Sequence, residues 1–264
     1  MPLQSITDLK DPRIAPYANL RHSRVAHERE LFVCEGRLLV DRLIASRFTV
    51  DSLMLEARYA EEYVDAVAPE TPIFAIPDGT FEQVVGFNFH RGILACGRRS
   101  TSRDWKALAT DDHNPICLVV CVNVCDPENL GSIMRNAAAF GANAVIVGPH
   151  CADAFSRRTL RTAMGTHFQL PVFEPTSMLE TLKELGADGI ETVATVVSQD
   201  AEPLPSATPL PRMALVFGNE GHGLQPECID VCCRQVTIPM PGGTDSLNVA
   251  TASAIFLYHY LHRG

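Results

Sequence analysis

Three segments in the carboxy-terminal half of the chain share one pattern, in which a short apolar run breaks into glycine and polar residues. They span residues 123–136, 217–224 and 238–250. An apolar run of this length is typical of a buried strand, and the break marks the carboxyl end of that strand. Because open α/β sheets bind their ligands outside the carboxyl ends of the strands, the three breaks predict a ligand site.

The chain around these segments alternates between strand and helix patterns. This alternation predicts an α/β fold with a mostly parallel sheet that is covered on both faces. The predicted strands span 116–122, 144–148, 192–197, 213–217 and 235–238. The helix after the first strand runs from about Leu130 to Phe140, carries one apolar stripe and stops at Gly141.

The amino-terminal part reads as a second, smaller α/β domain. Its predicted strands span 31–34, 52–55, 73–76 and 92–96, with helical spacing between them. Two polar segments without periodicity, 98–104 and 111–115, separate the two parts. We therefore expect an amino-terminal domain over residues 1–99, a linker over 100–114 and a carboxy-terminal domain over 115–264.

The last predicted helix, from about Ser246 to Leu261, has two apolar stripes. One contains Leu247, Ala250, Ala254, Leu257 and Leu261, and the other contains Val249, Ser253, Phe256 and Tyr260. A helix that is apolar on two sides is expected to be covered on two sides.

Composition excludes several classes of protein. At 46% hydrophobic and 20% charged, the chain has the composition of a soluble globular protein, and its apolar runs are too short to span a bilayer. No secretory signal is visible at the amino terminus, so a cytoplasmic protein is expected. The nine cysteines lack the paired spacing of a zinc site, and their odd number argues against a disulfide framework. We expect reduced, mostly buried thiols and no metal.

Charge is distributed unevenly along the chain. The net charge is −9, yet residues 1–50 carry eight Lys or Arg against six acids. This local excess fits a phosphate-binding face on an otherwise acidic body, and it fits a solvated helix face equally well. Arg157 and Arg161 lie one helical turn apart in a second basic segment, which predicts either a contact with RNA phosphate or a solvated surface.

The three strand-end segments read NVCDPENLGSIMRN, FGNEGHGL and IPMPGGTDSLNVA. Taken together and in this order, they resemble the motifs of the TrmH (SpoU) family of SPOUT RNA methyltransferases. The resemblance implies transfer of a methyl group from S-adenosylmethionine to a ribose 2′-hydroxyl of rRNA or tRNA. It also implies a carboxy-terminal trefoil knot and a homodimer bordered by the last helix. Two further segments, 32–37 and 90–95, resemble the ribosomal-protein-like RNA-binding domain that precedes many such catalytic domains, although Glu35-Gly36 also fits a plain strand-to-helix turn.

The resemblance assigns site residues position by position. The implied cofactor-binding positions are Gly218, Ile238, Met240 and Leu247. The implied catalytic positions are Asn129, Arg135, Glu220, Ser246 and Asn248. Glycines 218 and 221 and the pair 242–243 also fit close approach of the backbone to a purine, or two ordinary strand-end turns.

Arg135 is the residue that we expect to act at the ribose. It lies about 140° round the helix from Leu130, away from the apolar stripe, so it can face a cleft. Family proposals let this arginine receive the hydroxyl proton. An arginine is a poor base, however, and we favour orientation of the ribose or a phosphate and stabilisation of developing alkoxide charge. A surface ion pair is the alternative. Glu220, an acid between glycines, could fix either Arg135 or a substrate hydroxyl.

Two other site residues also fit structural roles. Asn129 is expected to cap the helix that carries Arg135 and so to present helix amides to a phosphate. Ser246 is expected to open the last helix, with Asn248 beside it.

Two other functions remain open from the sequence. One is a noncatalytic RNA-binding protein that retains the fold, and the other is a SPOUT enzyme that methylates a base nitrogen. No dinucleotide-binding fingerprint, P-loop or serine-hydrolase elbow is present.

Overall fold

The computed structural model describes residues 3–21, 25–99, 105–108, 114–242 and 244–262. The chain divides into two compact units. Unit 1 contains Met1–Ser100 and Phe155–Phe168, and unit 2 contains Thr101–Ala154 and Gln169–Gly264. Most of the predicted linker lies outside the described residues. Its described part includes Trp105–Leu108, a short 3-10 helix whose Trp105 is buried in the core of unit 2.

The strands of the described residues are β1 (Leu3–Ser5), β2 (Leu31–Glu35), β3 (Val50–Glu56), β4 (Ile73–Ile76), β5 (Ile93–Arg98), β6 (Ile116–Cys121), β7 (Ala144–Val147), β8 (Val172–Phe173), β9 (Glu191–Thr195), β10 (Glu202–Pro203), β11 (Arg212–Phe217) and β12 (Arg234–Thr237). All nine strands predicted from the sequence are present, with ends that differ by up to two residues. Strands β1, β8 and β10 are additional to the prediction and are only two or three residues long.

The α-helices of the same residues are α1 (Val25–Glu28), α2 (Arg37–Ile44), α3 (Ala60–Val64), α4 (Phe81–Val85), α5 (Pro127–Phe140), α6 (Arg157–Thr162), α7 (Met178–Ala187), α8 (Pro226–Asp230) and α9 (Val249–Leu261). Short 3-10 helices at Pro12–Tyr17, Ala57–Tyr59, Thr166–Phe168 and Leu204–Ser206 complete the elements. Within the described part of the chain, no helix is long and apolar enough to cross a membrane.

Unit 1 is built on a mixed sheet with the strand order β1-β4-β3-β5-β2. Strand β5 runs antiparallel to both of its neighbours, so β2 and β3 end at the same edge of the sheet. Its core packs around Tyr17, whose hydroxyl donates to the carbonyl of Ser52 and accepts from the amide of Cys96. These bonds satisfy the polar tip of a fully buried ring.

Unit 2 is built on a parallel sheet with the strand order β10-β12-β9-β11-β6-β7-β8. Every pairing in this sheet is parallel, as the alternation of strands and helices predicts. The β6 residues Leu118 and Val120 are fully buried in its main core cluster, together with Ile146 of β7 and Val216 of β11. The segment 155–168, which the predicted boundaries place in the carboxy-terminal domain, packs with unit 1.

Helix α5 begins earlier than its apolar stripe indicates. Asp126 is the N-cap and accepts from the amide of Glu128 at 2.7 Å, and Pro127 occupies the first helical position. The predicted cap role of Asn129 is therefore wrong, because Asn129 lies inside the first turn. The helix ends as predicted at Gly141, which has a φ of 85°.

Helix α9 begins at Val249, three residues later than predicted. Its N-cap is Asn248, whose side chain accepts from the amides of Ala250 and Thr251 at 2.9 and 3.2 Å. Ser246 precedes the helix and does not cap it.

The two predicted stripes of α9 are adjacent at about 100° per residue, so they form one broad band rather than opposite faces. The buried residues of the helix come from both stripes and are Ala250, Ser253, Phe256, Leu257 and Tyr260. The other side of the helix exposes Ile255 and Tyr258, which belong to neither stripe.

Candidate active site

A cavity of about 450 Å³ lies in unit 2 at the carboxyl ends of three neighbouring strands, β12, β9 and β11. Its walls come from the strand ends at residues 195–197 (β9) and 217–224 (β11), from the segment between β12 and α9, and from residues of α8 and α9. The volume falls within the range of pockets that bind small organic molecules. Its position at the carboxyl ends of the strands is where an open parallel sheet binds its ligands.

The four predicted cofactor positions all line this one cavity. They are Gly218, Ile238, Met240 and Leu247, and Ser246 lines it with them. A Cβ added at Gly218 would lie 2.5 Å from the carbonyl carbon of Gly223 and from the amide nitrogen of Leu224. Because both atoms belong to the backbone, only glycine fits at residue 218. Of the predicted glycine pair, Gly243 lies outside the described residues.

Asn219 holds the loop 218–224 in shape. Its backbone exchanges two hydrogen bonds with Gly223, and its side-chain oxygen accepts from the amides of Gly221 and His222 at 2.9 and 3.1 Å. Its side-chain amide donates to the carbonyl of Asn123 at 2.9 Å. Asn123 has a φ of 56°, which is uncommon for any residue but glycine. One side chain thus closes the loop and ties it to the segment before α5.

Glu220 is placed over the start of α5 by this loop. Its carboxylate accepts from the backbone amides of Cys125 and Asp126 at 3.4 and 3.2 Å, and from the side-chain amide of Asn129 at 3.1 Å. The start of a helix carries positive partial charge, which stabilises a carboxylate there. These amides are occupied by the protein itself, so the predicted presentation of helix amides to a phosphate is not supported.

Asn129 connects this carboxylate to the last helix. Its side-chain oxygen accepts from the side-chain amide of Asn248 at 2.9 Å, while its own amide donates to Glu220. Since Asn248 also caps α9, one chain of hydrogen bonds joins residues from all three sequence segments. The structure therefore brings together Asn129, Glu220 and Asn248, and it places Ser246 at the neighbouring cavity wall.

Arg135 is not part of this group within one chain. It lies six residues after Asn129, about 9 Å along the helix axis. Its side chain is exposed, does not line the cavity and makes no hydrogen bond or ion pair with the described residues. The alternative surface ion pair, including one with Glu220, is therefore not present in the described structure.

Sequence reasoning missed several contributors to the site. Residues Thr195–Val197, at the end of β9 and just after it, form one wall of the cavity, and Ile229 of α8 and Phe256 of α9 also line it. Asn219 lies within a quoted segment but was given no role. Thr195–Val197 carries no motif, and only the strand order β12-β9-β11 reveals its place.

Of the two arginines predicted to contact phosphate or solvent, Arg161 is exposed, whereas Arg157 makes structural contacts within unit 1. It forms an ion pair with buried Glu35, donates to the carbonyl of Leu20 at 3.1 Å and lies 4.7 Å from the ring centre of Phe87. Its guanidinium is engaged with protein on several sides.

The nine cysteines are free thiols, but two of them, Cys125 and Cys233, are exposed rather than buried. Burial raises the pKa of the Cys151 thiol to about 11 and that of Cys117 to about 12, so these two sulfurs remain neutral at physiological pH. No group of three or more His, Cys, Asp or Glu among the described residues is arranged to hold a metal ion.

Comparison with known proteins places the chain in a family. The sequence profile of the SpoU rRNA Methylase family matches residues 117–258, just over half of the chain. A tRNA/rRNA methyltransferase of Mycobacterium bovis, described as uncharacterised, is 34% identical over 270 residues, which cover 99% of this chain and 93% of that protein. The chain belongs to the SpoU rRNA methylase family. The profile spans all three of the sequence segments that build the cavity and the hydrogen-bonded group.

Two further relatives bear on fold and reaction. A 23S rRNA (guanosine(2553)-2′-O)-methyltransferase of Bacillus subtilis is 28% identical over 97% of this chain and 99% of its own length. The crystal structure of an AdoMet-bound rRNA methyltransferase from Sinorhizobium meliloti superposes with a TM-score of 0.84, at 24% identity over 98% of both chains. The second likeness establishes that the α/β fold with its parallel sheet is shared.

Proposed function

We propose that this SpoU-family protein transfers a methyl group from S-adenosylmethionine to a ribose 2′-hydroxyl of rRNA or tRNA. The observation that carries the proposal is the chain of hydrogen bonds from Asn248 through Asn129 to Glu220, which joins three segments beside one strand-end cavity. The 2′-O-methyltransferase of B. subtilis, which matches nearly the full length, supports the same reaction.

The cavity suits S-adenosylmethionine in size and in lining. Gly218 leaves backbone atoms open at its wall, where a purine can approach closely. Ile238, Met240 and Leu247 would supply the apolar contacts. The cofactor supplies an electrophilic methyl group, so the protein has to hold the acceptor hydroxyl in line and stabilise the charge on its oxygen.

We assign these tasks to the residues around the cavity. Glu220 and Asn129 hold each other in one orientation and would fix the ribose at the cavity mouth. Ser246 makes no hydrogen bond with the described residues, so its hydroxyl is available to substrate. Arg135 would orient the ribose or the adjacent phosphate, which requires the RNA or a second chain to bring the reacting group to it.

The remaining features of the proposal follow the family. We assign RNA binding to the amino-terminal domain, residues 1–99, methyl transfer to residues 115–264, and a linker role to 100–114. The shared fold supports a trefoil knot in the last segment, and the reaction supports a cytoplasmic location, where rRNA and tRNA are found.

One experiment tests the reaction and separates it from its two alternatives. RNA is incubated with the protein and S-adenosylmethionine carrying a labelled methyl group, and the product is hydrolysed with alkali. We expect label in alkali-resistant dinucleotides, because methylation of the 2′-hydroxyl removes the nucleophile that cleaves the phosphodiester. Label in alkali-sensitive mononucleotides would indicate a base methyltransferase, and no label would indicate a binding protein. Mapping 2′-O-methyl sites in cells with and without the protein would then identify the nucleotide.

We expect a homodimer, formed on the exposed side of α9. Ile255 and Tyr258 are exposed there, and Phe140 of α5 lies against Tyr258 with ring centres 6.2 Å apart. Sedimentation should give a mass near twice 28.8 kDa. Tyr258→Glu should shift it to the monomer, whereas Leu38→Glu, which alters an exposed leucine of unit 1, should not. A monomeric wild-type protein that still methylates RNA would contradict the dimer.

We expect Asn219→Ala to weaken both cofactor binding and methyl transfer. The change removes the side-chain hydrogen bonds to Asn123, Gly221 and His222 that shape the loop 218–224, and a hydrogen bond of this kind typically contributes about 0.5–1.5 kcal/mol. Asn219→Asp keeps the acceptor for Gly221 and His222 but loses the donor to Asn123. It should therefore retain more cofactor affinity than the alanine variant, as measured by calorimetry. Wild-type cofactor affinity in Asn219→Ala would show that the loop is held by other contacts.

A further inference from the structure

Arginine and aromatic side chains gather at one edge of the sheet in unit 1. Tyr59 ends the short helix after β3, Arg37 opens α2 directly after β2, and Arg91 precedes β5. Because β5 runs antiparallel to both β2 and β3, the ends of β2 and β3 and the start of β5 meet at the same sheet edge. We name Arg37, Arg58, Tyr59 and Arg91 the Tyr59 surface.

Two glycines leave room for side chains of this surface to pack directly against the main chain. A Cβ at Gly92 would lie 2.6 Å from the Tyr59 ring, and a Cβ at Gly36 would lie 2.7 Å from Cδ of Arg91. Both glycines also have positive φ, 63° and 81°. Tyr59 and Arg91 are therefore packed against main chain, which limits their freedom before any ligand binds.

Two guanidinium groups of this surface lie over the ring of Tyr59. Those of Arg37 and Arg58 lie 5.1 and 4.8 Å from the ring centre of Tyr59, within the range of cation–π attraction. Arg58 pairs with Glu56 and Arg37 pairs with Glu62. These contacts hold both guanidinium groups in place without removing them from solvent.

The three arginines of this surface outnumber the exposed acids that contact it. The side chains of Arg37 and Arg58 are 50% and 54% exposed, whereas that of Glu56 is only 7% exposed and accepts from the amide of Gly79 below the surface. Arg91 is exposed too, and it donates to the backbone carbonyl of Glu35 at 3.2 Å. Two exposed acids of the described residues contact this surface: Glu62 pairs with Arg37, and Asp78 accepts from the backbone amide of Arg58 at 3.3 Å.

We propose that the Tyr59 surface binds an unpaired RNA base, which stacks on the arginine–tyrosine layer while Arg91 contacts a neighbouring phosphate. The proposal rests on the RNA methyltransferase function and assigns part of the RNA contact to a defined place in unit 1. Flat cationic groups and aromatic rings both stack on exposed bases, and bases of single-stranded or looped RNA are free to do so. The bases of a duplex are already stacked on one another, so a duplex would present only its phosphates to this surface and could not stack on the Tyr59 ring.

The test compares binding of a fluorescein-labelled single-stranded RNA with binding of a duplex of the same length, by fluorescence anisotropy, to the full-length protein. We expect Tyr59→Leu to weaken single-strand binding about tenfold, the loss typical of one stacked base, and to leave duplex binding within twofold. Tyr59→Phe keeps the ring and should bind like the wild type. Calorimetry with S-adenosylmethionine should give the same affinity for all three proteins, which shows that unit 2 is intact.

A matched pair of arginine variants gives a second readout. Arg91→Gln removes a cation of the surface and should lower the affinity and the salt dependence of single-strand binding. Arg13→Gln removes an arginine of unit 1 that is paired with Asp11 elsewhere and should change neither. This pair also decides the question if Tyr59→Leu does not fold.

Wild-type affinity of folded Tyr59→Leu for single-stranded RNA would overturn the proposal, as would equal effects of Arg91→Gln and Arg13→Gln. Polyglutamate serves as a probe for an acidic protein partner. If Tyr59→Leu or Arg91→Gln weakened the binding of polyglutamate but not of RNA, the proposal would be overturned in favour of such a partner. A different result would contradict the proposed methyltransferase function, namely that the wild-type protein transfers no methyl group to a 2′-hydroxyl. A protein that methylates RNA but is insensitive to Tyr59→Leu would retain the function and lose only this site.

Discussion

Gly218→Val is expected to abolish binding of S-adenosylmethionine. The first carbon of any side chain at this position would lie 2.5 Å from backbone atoms of Gly223 and Leu224. Those atoms cannot retreat without breaking the two hydrogen bonds between Asn219 and Gly223 that close the loop. The new side chain would also fill part of the cavity that the cofactor needs.

Calorimetry measures this effect directly, and the chain offers a matched control. Gly242 lies in the neighbouring loop, does not line the cavity, and has open space where a Cβ would be. Gly242→Val should therefore bind the cofactor nearly as the wild type does. Normal binding by a folded Gly218→Val protein would remove the basis for placing the cofactor in this cavity.

Arg135→Ala is expected to lose methyl transfer while keeping cofactor affinity. Arg135 does not line the cavity, so its removal leaves the cofactor contacts unchanged. If it orients the ribose and stabilises charge on the reacting oxygen, its loss should slow single-turnover transfer by about 100-fold or more, as for other groups that stabilise developing negative charge.

Arg135→Lys distinguishes orientation from simple charge. Lysine keeps the positive charge but lacks the planar fork of arginine, so an orienting role predicts a large loss and a long-range electrostatic role predicts a small one. Lys183→Ala, which removes an exposed cation from α7, provides the control for net charge. Wild-type turnover in Arg135→Ala would leave the catalytic assignment of this arginine without support.

The local part of this structure could be predicted from the sequence. Runs such as Ile116–Cys121 form the expected strands because a short, continuously apolar segment has few other stable solutions. The segments at 217–224 and 238–250 supplied the cavity residues because each forms a loop at the end of its own strand. Gly218 carries this information most clearly, since its backbone contact is within its own loop.

What could not be predicted depends on contacts between distant parts of the chain. The ion pair between Arg157 and Glu35 spans 122 positions, and no local pattern indicates it. Thr195–Val197 reaches the cavity only because β9 lies between β12 and β11.

The cap of α5 was misplaced for a different reason. Asp126 and Asn129 are both good caps, and Pro127 at the first helical position favours the earlier one.

The double role of Asn248 couples the proposed active site to the folding of α9. Its side-chain oxygen protects the amides of Ala250 and Thr251, while its side-chain nitrogen holds Asn129. A fluctuation that frays the first turn of α9 therefore releases Asn129, and with it one of the donors to Glu220. Exchange of the Ala250 and Thr251 amide protons with solvent deuterium should follow the fraction of molecules in which this hydrogen-bonded group is disassembled. A measurement on two backbone amides can therefore follow the integrity of the proposed site without any substrate present.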